Sequence, residues 1–230
     1  MRTHQAPQAR RHRLLRWRRR VSPRPRQACH RRAPPSEERS IPTRATTCAA
    51  PLSSYTLDFR FPVDYPDQQA LTDTLTQERD QFVGWVAQAV PRPYPYELDV
   101  VGKAYHLGTP ASGTQSLVLD IGSDTGAHPL ATYKALNYDL GKHAPLTFDT
   151  LFKPGTQPLD VLNPIVQRQL DKHGATGALS LDDLGTKAYQ NFAITDDAVM
   201  FFFNQDGLLP HEDGPLHVDV PRTNIASLLA

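Results

Sequence analysis

Composition breaks abruptly near Cys48, and that break decides what the chain can build. Residues 1–47 hold 14 arginines, no lysine, and only Glu37 and Glu38 as acids, a net of +12. From Cys48 onward 11 basic residues face 22 acidic ones, a net of −11. The first stretch adds Pro23, Pro25, Pro34 and Pro35 and almost no apolar periodicity. It has too little surface to bury to offset the entropy of ordering it, so it is expected to be a disordered Arg/Pro-rich leader. One domain is then expected over residues 48–230, a size that supports a single core. An acidic domain repels phosphate backbones, which argues against nucleic-acid binding by the folded part.

Export and redox signals are weak in the residues themselves. A secretory signal needs an apolar core of about 7–15 residues behind a basic start. Before Cys48 only Leu14, Leu15, Trp17 and Val21 are at hand, scattered among arginines. Such a leader is what a misplaced start site or an upstream frame error would produce. Nothing approaches the roughly 20 apolar residues of a transmembrane helix. Cys29 and Cys48, if paired, would enclose 18 residues, a loop worth about 3 kcal/mol in the chain-entropy model. Two free thiols are the alternative.

Past Cys48 the hydrophobic period changes along the chain. Tyr55, Leu57, Phe59 and Phe61 alternate with polar residues, the period of a half-buried strand. Leu71, Leu75, Phe82, Val86 and Ala89 recur at helical steps between Pro66 and Val90, with Trp85 widening the face and Pro91 closing it. Strands are expected near Tyr96–His106, Gln115–Ser123 and Leu130–Asp139, separated by Gly/Pro/Asp turns. A shorter helix is expected from Pro158 to His173, kinked or restarted at Pro164. Ala198–Phe203 reads as a strand buried on both faces, Phe202 pointing opposite to Phe201 and Phe203. Leu216–Val220 reads as another strand, and Arg222–Leu229 as a short closing helix. Strands in runs with few helices between them make the class α+β: a mixed, mainly antiparallel sheet with one long and one shorter packing helix.

Catalytic motifs are incomplete. An esterase of the α/β-hydrolase type needs Gly-x-Ser-x-Gly on a strained strand-to-helix turn. The nearest text is Gly122-Ser123-Asp124-Thr125-Gly126, with the serine one place early and a strand expected after it. Ser123, Asp124 and His128 fall on one hairpin turn and are the weak candidates for a nucleophile, an acid and a base, against an ordinary Gly/Ser/Asp turn. Ser112 and Ser116 lie near no evident base. His211, Glu212, Asp213 and His217 match no tight metal-ligand spacing, and no metal is expected there. The pairs Asp182-Asp183 and Asp196-Asp197 lack the alternating oxygens of a calcium loop. No phosphate loop or nucleotide fingerprint is present, so no cofactor is expected. Tyr94, Tyr96, Tyr105, Tyr133 and Tyr138 offer amphipathic contact area or core-edge packing.

Several stretches resemble the mycobacterial secreted immunogenic antigens, in order along the chain. They are FPVDYPDQQ at residues 61–69, YKALNYDL at 133–140, LTFDTLF at 146–152 and PLDVLNPIVQRQL at 158–170. The longest are YQNFAITDDAVMFFFNQDGLLP at 189–210 and GPLHVDVPRTNI at 214–225. The C-terminal part is similar to the extracellular domain of RsiV-type anti-sigma factors, receptors that bind lysozyme. This resemblance implies a β-grasp-related arrangement and a life outside the cytoplasm or in the cell envelope. It also implies either a non-catalytic binding domain with a protein or cell-envelope ligand, or a cell-wall serine esterase for short-chain acyl esters. Esterase activity is attributed to at least one relative. Family members carry an apolar export signal and two cysteines about a dozen residues apart. Here no such signal is visible, Cys48 falls near the second cysteine, and Cys29 lies farther off than the pattern asks.

Overall fold

The computed structural model describes residues 55–126, 129–172, 181–204 and 215–230, together with the backbone of 14–21. Cys29, Cys48, His128, His211, Glu212 and Asp213 lie outside the described residues. The class is α+β, with strands β1 (Leu14–Val21), β2 (Tyr55–Pro62), β3 (Tyr96–Leu107), β4 (Thr114–Asp124), β5 (Pro129–Asp139) and β6 (Ala144–Pro145) in one sheet, ordered as numbered. The second sheet holds β7 (Phe192–Ile194), β8 (Ala198–Phe203) and β9 (Leu216–Pro221), also in that order. Among these pairings β2–β3 alone is parallel. It needs a crossover, and helix α1 (Gln68–Val86) supplies it.

Helix α1 starts where Asp67 accepts a hydrogen bond from the Ala70 N–H at 2.9 Å. Its buried face is Leu71, Leu75, Phe82 and Val86, the expected stripe. These pack on Leu57, Phe59, Leu98, Val100, Leu117, Leu119 and Ile121 of the first sheet. The helix stops at Val86, short of the expected Val90. Pro91 holds Val90 out of the helical region and has no N–H for the Ala87 carbonyl, so the helix cannot run on to Val90. Ala89 still packs on the same core from the turn beyond.

Strand β4 alternates between two cores. Leu117, Leu119 and Ile121 face α1, while Val118 meets Ala193 and Phe202 of the second sheet. Phe202 touches Tyr133 at 5.1 Å and Tyr105 at 6.2 Å, whereas Phe201 stacks edgewise on Tyr189 at 5.0 Å on the far side. The run AVMFFF therefore lines both faces of its sheet, as its period requires. The second half of the chain opens with α2 (Phe148–Leu151), closed by a Thr147/Thr150 capping box, and α3 (Pro158–Lys172). Helix α3 covers the outer face of the second sheet through Leu162, Val166 and Leu170. It runs unbroken through Pro164, which sits on the exposed side where the carbonyl it leaves unbonded meets solvent.

Short elements complete this half. Helix α4 (Leu181–Leu184) runs into a 3-10 turn at Gly185–Tyr189, and α5 (Arg222–Ile225) begins directly after β9. Polar groups stitch the two sheets together. Asn204 and Asn191 side chains accept from the β5 N–H groups of Tyr133 (2.6 Å) and Ala135 (3.1 Å), and the Asn137 amide donates to the Phe192 carbonyl at 2.9 Å. These asparagines satisfy a sheet edge that would otherwise invite another strand.

Candidate functional site: an aromatic corner at the end of α1

The segment after α1 carries Pro91, Pro93 and Pro95, bends at residues 93–94, and brings Arg92 against the β4–β5 turn. The Arg92 guanidinium lies 3.9 Å from the Tyr96 ring centre and 4.6 Å from that of Tyr94. It donates to the Pro95 carbonyl at 2.7 Å, and to the carbonyl and carboxylate of Asp124, each at 3.3 Å. Asp124 also accepts the Gly126 N–H at 2.9 Å, an Asx turn. Gly126 has φ of 105°, and a Cβ there would stand 2.9 Å from the Arg92 guanidinium. The backbone conformation requires glycine, and a Cβ would push the Arg92 guanidinium from its place.

Beside this clamp lies a depression of about 460 Å³, lined by Trp85, Gln88, Ala89, Val90, Tyr96 and Thr125. The Trp85 and Tyr96 rings meet edge to face at 5.1 Å, and the Tyr96 hydroxyl donates to the Val90 carbonyl at 2.6 Å. Five large apolar residues are exposed among the described ones; Trp85 at 43% and Val90 at 78% line this depression, and Tyr94 at 58% stacks on the adjoining Arg92. Scattered exposed apolar residues mean little, but a cluster around a concavity does. The helical period places Trp85 on the margin of the buried face. Its ring instead lines the depression at 43% exposure, edge to face with Tyr96. The prolines at 91, 93 and 95 are the sequence signal for a rigid, exposed ledge beyond α1.

The turn singled out by its Gly-Ser-Asp-Thr-Gly text borders the same depression through Thr125. Ser123 and Asp124 are successive residues of β4, so their side chains leave the strand on opposite faces. Ser123 stands between Leu98 and Leu130 in the ladder. The other serines have structural duties: the buried Ser116 hydroxyl accepts the Ile194 N–H at 3.1 Å, and Ser112 bonds Thr109 at 3.1 Å. His217 lies 3.9 Å from Asp219, beside the Phe202 ring. No group of three or more His, Cys, Asp or Glu among the described residues is arranged to hold a metal ion. Asp182 accepts from the Asn163 amide at 2.6 Å, and Asp196 accepts the Gly108 N–H at 3.0 Å.

A second space lies toward the other end of α1, between it and β2. It measures about 310 Å³, walled by Leu57, Phe59, Phe61, Leu71 and Leu75, with Gln68, Thr72, Thr76 and Arg79 along its mouth.

An α+β fold with this exposed aromatic ledge, and with no helix among the described residues long and apolar enough to cross a membrane, defines a small sheet-built domain with a surface for contact. The chain belongs to the mycobacterial immunogenic protein family of MPT64 and MPB64. It is 41% identical over 180 residues to immunogenic protein MPT64 of Mycobacterium tuberculosis and to MPB64 of Mycobacterium bovis, covering 77% of this chain and 79% of each relative. It is 51% identical over 178 residues to esterase Rv3036c of Mycobacterium tuberculosis, covering 76% and 78%. Residues 149–223 match the model of a protein family of unknown function, DUF3298. The fold matches solved DUF3298 proteins from Pseudomonas aeruginosa (TM-score 0.56, 16% identity, 80% of this chain and 89% of that one) and Bacteroides fragilis (0.51, 15%, 77% and 86%).

Proposed function

We propose that this antigen-type protein acts outside the cytoplasm or in the cell envelope as a binding domain, and that it engages a protein partner through the aromatic corner. The observation that carries the reading is the exposure of Trp85 and Val90 around one depression, with Tyr94 exposed on the adjoining Arg92 and Arg92 held between the Tyr94 and Tyr96 rings. Tryptophan, tyrosine and arginine dominate the energetics of protein interfaces, and rigid ones lose little entropy on binding. A photoreactive amino acid at Val90 should give one discrete cross-linked species with a cell-envelope fraction, lost when Trp85→Ala is added. The same group at exposed Val101 is the control. Equal products from both positions, or none from Val90, sink the reading.

One observation favours a second reading. The relative at 51% identity bears the name esterase, and the Ser123 turn borders the same depression. If this chain hydrolyses short acyl esters with Ser123 as nucleophile and His128 as base, then Ser123→Ala or His128→Ala each removes most turnover, non-additively. The assay is a chromogenic short-chain ester, with wild type and both variants purified identically. Turnover at background in all three proteins rejects the esterase. Turnover untouched by either change moves its site elsewhere.

A further inference from the structure

The apolar chamber between α1 and β2 is separate from the aromatic corner, and nothing so far explains why the fold keeps it. Its walls come from alternate residues of β2 (Leu57, Phe59, Phe61) and from Leu71 and Leu75 one helical turn apart. Four of these five are nearly fully buried, so the space opens from the surface onto side chains of the core's margin. Water gains little there, because such walls offer it no partners.

The mouth says what enters. Gln68, Thr72, Thr76 and Arg79 succeed one another along α1 at steps of four, four and three, so the opening runs parallel to the helix for about 16 Å. That shape suits a linear apolar chain. An added peptide strand is not what fits, because β1 already pairs along the whole of β2 and closes that sheet edge. Among the described lining residues Arg79 is the one charged group, and no carboxylate lines the space. Arg79 contacts Asp80 at 2.7 Å on the exposed surface. Pairs of that kind hold weakly and exchange readily for another carboxylate.

We propose that this chamber binds a free fatty acid, with the acyl chain between α1 and β2 and the carboxylate at Arg79. The apolar walls supply affinity in proportion to the methylenes they cover, and the guanidinium selects the anionic head.

The test titrates the full chain with dodecanoate and with dodecanol, below the concentration at which either forms micelles, by calorimetry. Dodecanoate should bind one-to-one, and Thr76→Trp, which fills the chamber from its rim, should weaken it about tenfold or more. Thr72→Trp, at an exposed position of the same mouth, should act likewise, which guards against a folding defect in the first variant. Arg79→Gln should weaken dodecanoate several-fold and leave dodecanol unchanged, while Trp85→Ala should alter neither. Absence of saturable dodecanoate binding overturns the proposal. So does unaltered binding in both tryptophan variants, equal weakening of acid and alcohol by Arg79→Gln, or binding to neutral phospholipid vesicles in place of monomeric dodecanoate.

Discussion

Replacing Arg92 with methionine probes whether the corner is rigid by design of its contacts. The substitution keeps an apolar stem of similar reach and removes the guanidinium. The bond to the Pro95 carbonyl, at 2.7 Å, is the short one. A hydrogen bond from a charged donor contributes about 1.5 kcal/mol at the low end of its range. The two contacts to Asp124 are both 3.3 Å, and the Asp124 side chain keeps 41% of its exposure, so water can replace what it loses. Together they contribute about 1 kcal/mol. Stacking between two tyrosine faces adds about 1 kcal/mol, part of which a methionine sulfur recovers. The net cost is about 3 kcal/mol, which for a domain of this size lowers Tm by roughly 6–12 °C. Urea unfolding should show a lower midpoint with unchanged slope. Lys142→Met is the comparison: it breaks a 3.5 Å contact with Asp139 from an exposed position, and should cost no more than about 1 kcal/mol. If Arg92→Met is no worse than Lys142→Met, the clamp is decoration and the ledge owes its shape to the prolines alone.

Phe82→Ala should destabilise by about 3–5 kcal/mol, because the ring is buried under α1 and meets Tyr55 edge to face at 6.2 Å. Gln81→Ala on the opposite, exposed side should be close to neutral, and equal effects would mean that the helix is seated differently. Asp120 stands opposite Tyr133 in the β4–β5 ladder, and desolvation raises its carboxyl above the usual range. A raised carboxyl pKa means that the folded state holds its proton longer than the unfolded one. Stability from this group is therefore full below the unfolded pKa and is lost as pH rises through the folded one. Asp120→Asn should raise Tm at about pH 7 and leave it unchanged near pH 3, and the opposite pH dependence would refute the assignment.

Much of the fold was legible because periodicity survives tertiary context when an element has one dry face. Leu71, Leu75, Phe82 and Val86 are buried as their spacing demands, and Phe202 turns away from its neighbours as a strand residue must. β1 escaped: its eight residues fall in the Arg-rich stretch expected to be disordered, and five of them are Arg or Trp with no apolar alternation to announce a strand, yet its backbone pairs antiparallel with β2. The other elements that escaped were short. β7 is three residues, too few to display a period; it is held by its ladder with β8, and its Phe192 carbonyl and Ile194 N–H are met by Asn137 and Ser116 from the other sheet. Helix α2 is one turn long, too brief for an apolar stripe to declare itself. Its cue is Thr147 and Thr150 three residues apart, a capping pair rather than a hydrophobic pattern.

The site was legible only in part, for a reason of geometry. A motif read along the chain treats neighbours as partners, yet strand neighbours point apart, and Ser123 and Asp124 occupy consecutive positions of β4. Asp124 spends its acceptors on Arg92, 32 residues away, and on the Gly126 N–H. Its carboxylate is thereby tied to holding the turn, with Arg92 and glycine as its partners. A hydrolytic role for Ser123 would then depend on a base arriving from outside the Ser-Asp text. The aromatic ledge needs no such arrival. Trp85, Val90 and Tyr94 are already exposed, and Arg92 is already fixed beside them by two rings and the Pro95 carbonyl. A surface whose side chains are ordered before a partner comes loses less entropy when it does. On that count binding asks less of these residues than ester hydrolysis asks of the turn next to them.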